Sequence, residues 1–383
     1  MAAPGVTAGG TGTGTPAVAG QGAAGQNPFW EVTNLFSQKN KLGVVAPFLM
    51  TAAQVNGGAP INSGNYLRGL RLQVRTTTAP VGAFTAPPNN DLGYQLFSAL
   101  GIQNTDGAEI LFDVINGFAY SQRSKWGRTW LQDPTTAYDY VAPSSGVGPS
   151  YTLFLNPEVR QQMGALENTD TRSQYTWTMT IAGTGTTVGS FGSYATTQPT
   201  ISVTPYTDMW AQPDATDLEG VQNQRIPPGV NLQTKTRHQI FTLNAAGSDN
   251  NFLSTLTGNA VRFMILIIRD STGARVDGLT EPITWTQDSR NLGNLAPDQV
   301  FRWAQDQLAD TGNVSARATG VYPFMRFYNP GTAYGQGWLY TANSTALNWE
   351  SVTAAGVTGV GTAELVQEEI YAVGPVDPSL IDL

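Results

Sequence analysis

The only histidine of the 383-residue chain, His238, lies in Lys235-Thr236-Arg237-His238, at the entrance to a strand-like run from Gln239 to Leu243. The chain has no cysteine, so a nucleophile–imidazole–carboxylate arrangement would have to pass through this one residue, and no nucleophile motif accompanies it. A surface or hydrogen-bonded role is expected of His238. Glu368 and Glu369 supply two carboxylates, but neighbours on a strand point to opposite faces, so the pair cannot flank one glycosidic bond. Asp214, Asp217 and Glu219 concentrate the oxygen ligands that a hard cation takes. Their spacing matches no calcium loop, and an exposed polar linker is the expectation. Gly183, Gly185 and Gly189 follow a strand, yet they are spaced G-x-G-x-x-x-G and no helical period follows to carry a pyrophosphate, which leaves a hairpin or loop. Arg123, Lys125 and Arg128 interleave with Trp126 and Trp130, as in surfaces that stack single-stranded nucleic acid. With a net charge of −8 the chain is not built to neutralise phosphates, so cation–π packing within or between subunits is expected and nucleic acid is not a direct partner. The sequons Asn313-Val314-Ser315 and Asn343-Ser344-Thr345 carry no weight without a secretory address, and Met1 to Gln26 holds no charged residue to form one. No catalytic, cofactor-binding or metal-ligating constellation results.

The elements that would position these residues are strands. Only 13% of residues are charged, while 42 glycines and 23 prolines accompany abundant Thr, Val and aromatics, a mixture that fits pleated strands and turns. Leu70, Leu72 and Val74 alternate with Arg71, Gln73 and Arg75, and Tyr175, Trp177, Met179 and Ile181 alternate with threonines, the period of strands with one buried face. Val261 to Ile268 is apolar on both faces, which predicts a strand at the centre of packed layers. Its apolar core from Phe263 to Ile268 is far short of the roughly 20 residues that span a bilayer as a helix. Helical spacing predicts three excursions: Ile110 to about Arg123, a turn or two from Pro157 to Leu166, and a helix opened by Pro297 and closed by Asp310-Thr311-Gly312.

Residues 1–26 form a low-complexity Gly/Ala/Thr/Pro segment, expected to be a flexible arm that ends at Asn27-Pro28-Phe29-Trp30. A Pro- and Asp-rich break from Pro205 to Pro213 then divides the remainder into 27–206 and 207–383, which predicts two β-sandwich domains of similar size in tandem.

The second half carries a specific succession: VRFMILIIRDSTG (261–273), EPITWTQDSRNLGN (281–294), APDQVFRWAQDQLADTG (296–312) and GVYPFMRFYNP (320–330). It is similar to the second jelly roll of the double jelly-roll major capsid proteins of tailless, membrane-containing icosahedral phages of the tectivirus type. TISVTPYTDMW (200–210) and GIQNTDGAEILFDVINGFAYSQ (101–122) resemble parts of that family's first roll. The resemblance implies an all-β fold of two tandem eight-stranded jelly rolls with short helical excursions. It also implies a homotrimeric, pseudo-hexagonal capsomer that builds an icosahedral virion shell, assembled in the host cytoplasm, with no enzymatic activity. The implied partners are neighbouring capsomers, penton and minor membrane-associated capsid proteins, and an internal virion membrane reached through the arm. Trp126, Trp130, Tyr334, Trp338 and Trp349 are candidate anchors of subunit interfaces, and Phe29 and Trp30 are candidate inner-face anchors after the arm. The alternative is a carbohydrate-binding or adhesive β-sandwich, such as a virion spike, with exposed tryptophans that stack on sugar rings. A β-sandwich hydrolase would need a pair of carboxylates facing one cleft.

Overall fold

The computed structural model describes residues 26–27, 29, 38–43, 45–89, 91–104, 110–127, 138–159, 164–170, 175–185, 190–226, 231–309, 318–324 and 338–372. Its strands of four or more residues are β1 (Gln38–Lys41), β2 (Val45–Leu49), β3 (Val55–Pro60), β4 (Asn65–Thr78), β5 (Phe97–Asn104), β6 (Ile110–Ile115), β7 (Tyr151–Leu155), β8 (Tyr175–Ile181), β9 (Thr200–Ala211), β10 (Leu232–Leu243), β11 (Asp249–Ser254), β12 (Ala260–Arg269), β13 (Ile283–Gln287), β14 (Arg290–Leu295), β15 (Val321–Phe324), β16 (Leu347–Val352) and β17 (Gly361–Ala372). Two α-helices of the described residues, α1 (Gly117–Trp126) and α2 (Pro297–Ala309), interrupt them.

In the first sandwich the long antiparallel pair β4–β9 is extended on one side by β7 and the short strand Leu166–Asn168, and on the other by β1 and β2. Against it packs the sheet β6–β5–β8–β3. Leu70, Leu72 and Val74 of β4 and Trp177, Met179 and Ile181 of β8 fill one core between these sheets, while Arg71, Gln73 and Arg75 stay partly exposed, as their alternation predicts. In the second sandwich β10–β17–β12–β15 packs on β11–β16–β13–β14, with Trp285 and Trp349 meeting the Phe324 ring between them. One parallel bridge, Thr236 to Phe112, joins β10 to β6, so a single sheet runs through both sandwiches.

Three expectations are corrected. Ile110, Val114, Ile115 and Phe118 have helical spacing, yet Ile110–Ile115 is strand β6. Asn116 is extended and its side chain accepts the Ala119 N–H at 2.8 Å, so the helix begins only at Gly117. β-Branched residues and an N-cap in mid-pattern outweigh the period. Second, the break expected at Pro205 lies inside β9, which continues past residue 206 to Ala211. The Pro205 carbonyl accepts from Leu42 N in the gap between β1 and β2, so the donor that proline lacks falls where no strand needs it. Third, Leu166 begins a strand, not the end of a turn from Pro157; residues 160–163 lie outside the described residues. The Pro297 helix forms as predicted and buries Val300, Phe301 and Ala304, and its expected close at Asp310 lies outside the described residues.

Candidate functional site

Chemistry-bearing side chains collect at the seam between the two sandwiches. Its centre is α1, whose ten residues are all buried although Ser121, Gln122, Arg123, Ser124 and Lys125 are polar or charged. An amphipathic stripe is missing from this helix because it has no solvent face. The second sandwich covers it with β12 and β17. On β12, Phe263, Ile265 and Ile267 join the core of the first sandwich, and Met264, Leu266 and Ile268 fill that of the second; a bulge between Val261 and Phe263 sets this division. On β17, Glu364, Val366 and Glu368 face the seam, while Ala363, Leu365, Gln367 and Glu369 take the other face. Glu368 and Glu369 therefore point apart.

Three carboxylates organise the seam. Glu368, fully buried, is clasped from both sides: Arg123 Nη2 of α1 reaches Oε2 at 2.6 Å, and Arg262 Nε and Nη2 of β12 both reach Oε1 at 2.5 Å. Arg262 also donates through Nη1 to the Gly127 carbonyl at 2.7 Å, placing a cation on the C-terminus of α1, where the helix dipole favours it. Asp91, from the first sandwich, receives Arg269 Nη2 and Arg275 Nε of the second, each at 2.7 Å. Both guanidiniums lie over the Phe118 ring of α1, at 5.7 and 4.3 Å from its centroid. Glu364 accepts from Asn116 Nδ2 at 2.9 Å and lies 3.0 Å from His238 Nε2, while the His238 backbone N–H donates to Asp113 Oδ2 at 2.8 Å. Burial pushes the Glu364 carboxyl up, but the His238 hydrogen bond, the Arg269 and His238 charges and the Asn116 hydrogen bond outweigh it and hold the group below its ordinary value. His238 is thus a hydrogen-bonded seam residue, in keeping with the reading of the sequence.

The fold has counterparts among known structures. The crystal structure of the STIV MCP, from Sulfolobus Turreted Icosahedral Virus, superimposes with a TM-score of 0.60 at 12% identity, covering 88% of this chain and 97% of that one. The Faustovirus major capsid protein gives 0.52 at 10% identity, with 88% and 90% covered. The major capsid protein P2 from bacteriophage PM2 gives 0.50 at 10% identity, with 88% and 98% covered. The chain has the double jelly-roll fold. No protein-family model and no curated protein matches its sequence.

Within the double jelly-roll, three of the five aromatics expected at subunit interfaces lie buried inside the chain. Trp126 is in the first-roll core beside the seam, Trp349 in the second-roll core, and Trp338 in a small cluster with Leu232 and Ile370; all three are at most 3% exposed and have almost no area left to give a partner. Trp130, Tyr334 and Trp30 lie outside the described residues. Phe29 is buried edge-on against Tyr66, with Trp210 and Ala165 around it, and anchors the end of the arm to the first roll. Asp217 lies in the crossover between the rolls, its carboxylate already filled by Asn27 Nδ2 and the backbone N–H groups of Glu219 and Val221. These donors, Asn27 first, hold it below the ordinary carboxylate range, and no group of three or more metal-ligating side chains occurs among the described residues. Gly183 and Gly185 lie after β8 with no helix behind them among the described residues.

Sequence reasoning did not find Asp91, Arg269, Arg275, Arg262 or Glu364. The available signal was charge inside apolar strands: Arg262 and Arg269 bracket FMILII, and Glu364, Glu368 and Glu369 place three charges in β17, in a chain poor in charge.

Proposed function

We propose that this chain is a major capsid protein, a structural and non-enzymatic subunit that associates with copies of itself to build the shell of an icosahedral virion. The observation that carries the reading is the double jelly-roll frame, which covers 88% of this chain and 97% of the STIV MCP. The edges of the sheets fit assembly without runaway strand pairing: β2 carries Pro47, β3 carries Gly57, Gly58 and Pro60, and β14 opens on Arg290 and Asn291. Subunits would then meet through side chains and loops. Leu49, Ile226, Ile240, Leu253 and Val360 are all more than half exposed and serve as interface anchors in this proposal.

In the same reading three chains make a capsomer of six rolls, the shell surrounds an internal membrane, and the arm before Phe29 lies on the inner side, where penton and minor capsid proteins are the further partners. Sugar binding would have to use other aromatics, since Trp126, Trp177, Trp285, Trp338 and Trp349 are buried and cannot stack on a ring. Negative-stain microscopy with light scattering tests the proposal. Particles of three times the 40.8 kDa chain mass, with a hexagonal outline and a threefold centre, are expected. A monodisperse single chain at high concentration would contradict the assembly reading.

A further inference from the structure

We propose that the seam is a recognition surface in its own right, so that the two halves of the chain hold each other as separate polypeptides when the covalent crossover is cut. The partner that fits the seam face of the second roll is the first half of this chain supplied in trans. The contributions are reciprocal: the first half brings Asp91 and Arg123, the second brings Arg269 and Arg275 for the one and Glu368 with Arg262 for the other. Between these charged nodes lies an apolar strip, Phe263, Ile265, Ile267 and Val366, packed into the first roll's core. Uncovered, that face would expose contiguous apolar surface while Arg269 and Arg275 part from Asp91 and Glu368, still held by Arg262, parts from Arg123, so each half is expected to seek the other.

The crossover itself contributes little to the seam. Its outer turn runs from Asp217 to Gly220, with Leu218 fully exposed and Gly220 at φ +82°. Residues just past the turn are gripped by the first half independently. Gln26 and Asn27 pair in parallel with Gln222 and Asn223, Asn27 Nδ2 donates to Asn223 Oδ1 at 2.9 Å, and Phe29 N–H donates to Gln224 Oε1 at 3.3 Å. Tyr66 OH donates to the Arg225 carbonyl at 3.2 Å, and Arg225 Nε donates to the Pro213 carbonyl at 3.1 Å. A cut at the turn thus has the arm's end as a clasp on its far side and the seam behind it.

The test places a site-specific protease sequence between Leu218 and Glu219 of the full chain and compares cut with uncut protein by size-exclusion chromatography with light scattering. Both fragments are expected in one peak at the mass of the uncut protein, with a single thermal transition. Two separating fragments, or precipitation of one while the other stays in solution, would overturn the proposal. Glu368→Arg, which sets a third cation between Arg123 and Arg262, is expected to raise dissociation of the cut protein at least tenfold while the uncut chain stays whole. If the cut Glu368→Arg protein holds together as firmly as the cut parent, the fragments are retained by something other than the seam and the proposal fails. Should uncut Glu368→Arg not fold, Asp91→Asn replaces it with the same expectations.

Discussion

Two guanidiniums aimed at one buried carboxylate leave a node in which loss of the acid is worse than loss of the whole cluster. Glu368→Ala would remove the buried carboxylate that Arg123 and Arg262 share, and a cost of about 3–5 kcal/mol is expected in urea unfolding. Replacing all three with apolar residues of similar volume is expected to recover most of that loss, because desolvation of the ions disappears with them. No recovery in the triple variant would mean that the node acts through more than charge pairing. Gly127 is constrained differently. Its φ of −78° is ordinary, but a Cβ there would lie 2.5 Å from the Phe263 ring and 2.6 Å from the Arg123 carbonyl, so Gly127→Ala should cost about 1–3 kcal/mol through overpacking. Thermal unfolding checks this, and an unchanged midpoint would show that the helix end can withdraw from β12.

Among the elements, α1 joins local and global structure most closely, since Asn116 both caps it and donates to Glu364 across the seam. Asn116→Asp keeps a cap acceptor but sets a second carboxylate beside Glu364, whereas Asn116→Ala loses the cap at about 1 kcal/mol. Aspartate is expected to be the more damaging of the two, and the reverse order in thermal unfolding would deny Asn116 its role across the seam. The strands with one wet face were legible in the sequence, because residues 70–75 of β4 and all of β8 alternate cleanly, and so was the doubly buried β12. Helix α2 was legible from Pro297 and its apolar face. Helix α1 was not, since a helix covered on every side has no stripe to read and β6 before it borrows a helical period. The pairing of Asp91 with arginines 178 and 184 positions away leaves no local trace, and Trp126, Trp338 and Trp349, the described tryptophans among the expected interface anchors, are large enough that filling the chain's own cores takes all three.

For the whole molecule, a core shared by both rolls and one sheet running through them are expected to make unfolding a single event, and Glu364 at the seam couples that event to acid. The folded Glu364 carboxyl lies below its ordinary value, so the unfolded chain takes up its proton first as pH falls. The stability from this group is therefore complete above the ordinary carboxylate range and is lost as pH drops through the lowered folded value. Glu364→Gln should flatten that acid limb in urea melts taken across a pH series, and an equally steep limb would place the acid response elsewhere. The reciprocity of the nodes also reaches beyond any one molecule. A lineage that exchanged its second half for that of a divergent relative, with the join at the exposed turn from Asp217 to Gly220, would keep both rolls intact yet inherit unmatched cations and acids on the two sides of the seam. The two halves are then expected to evolve as a coupled pair, with substitutions at Asp91 tracked by changes at Arg269 and Arg275, and recombination at this exposed turn would be opposed by residues distant from the join.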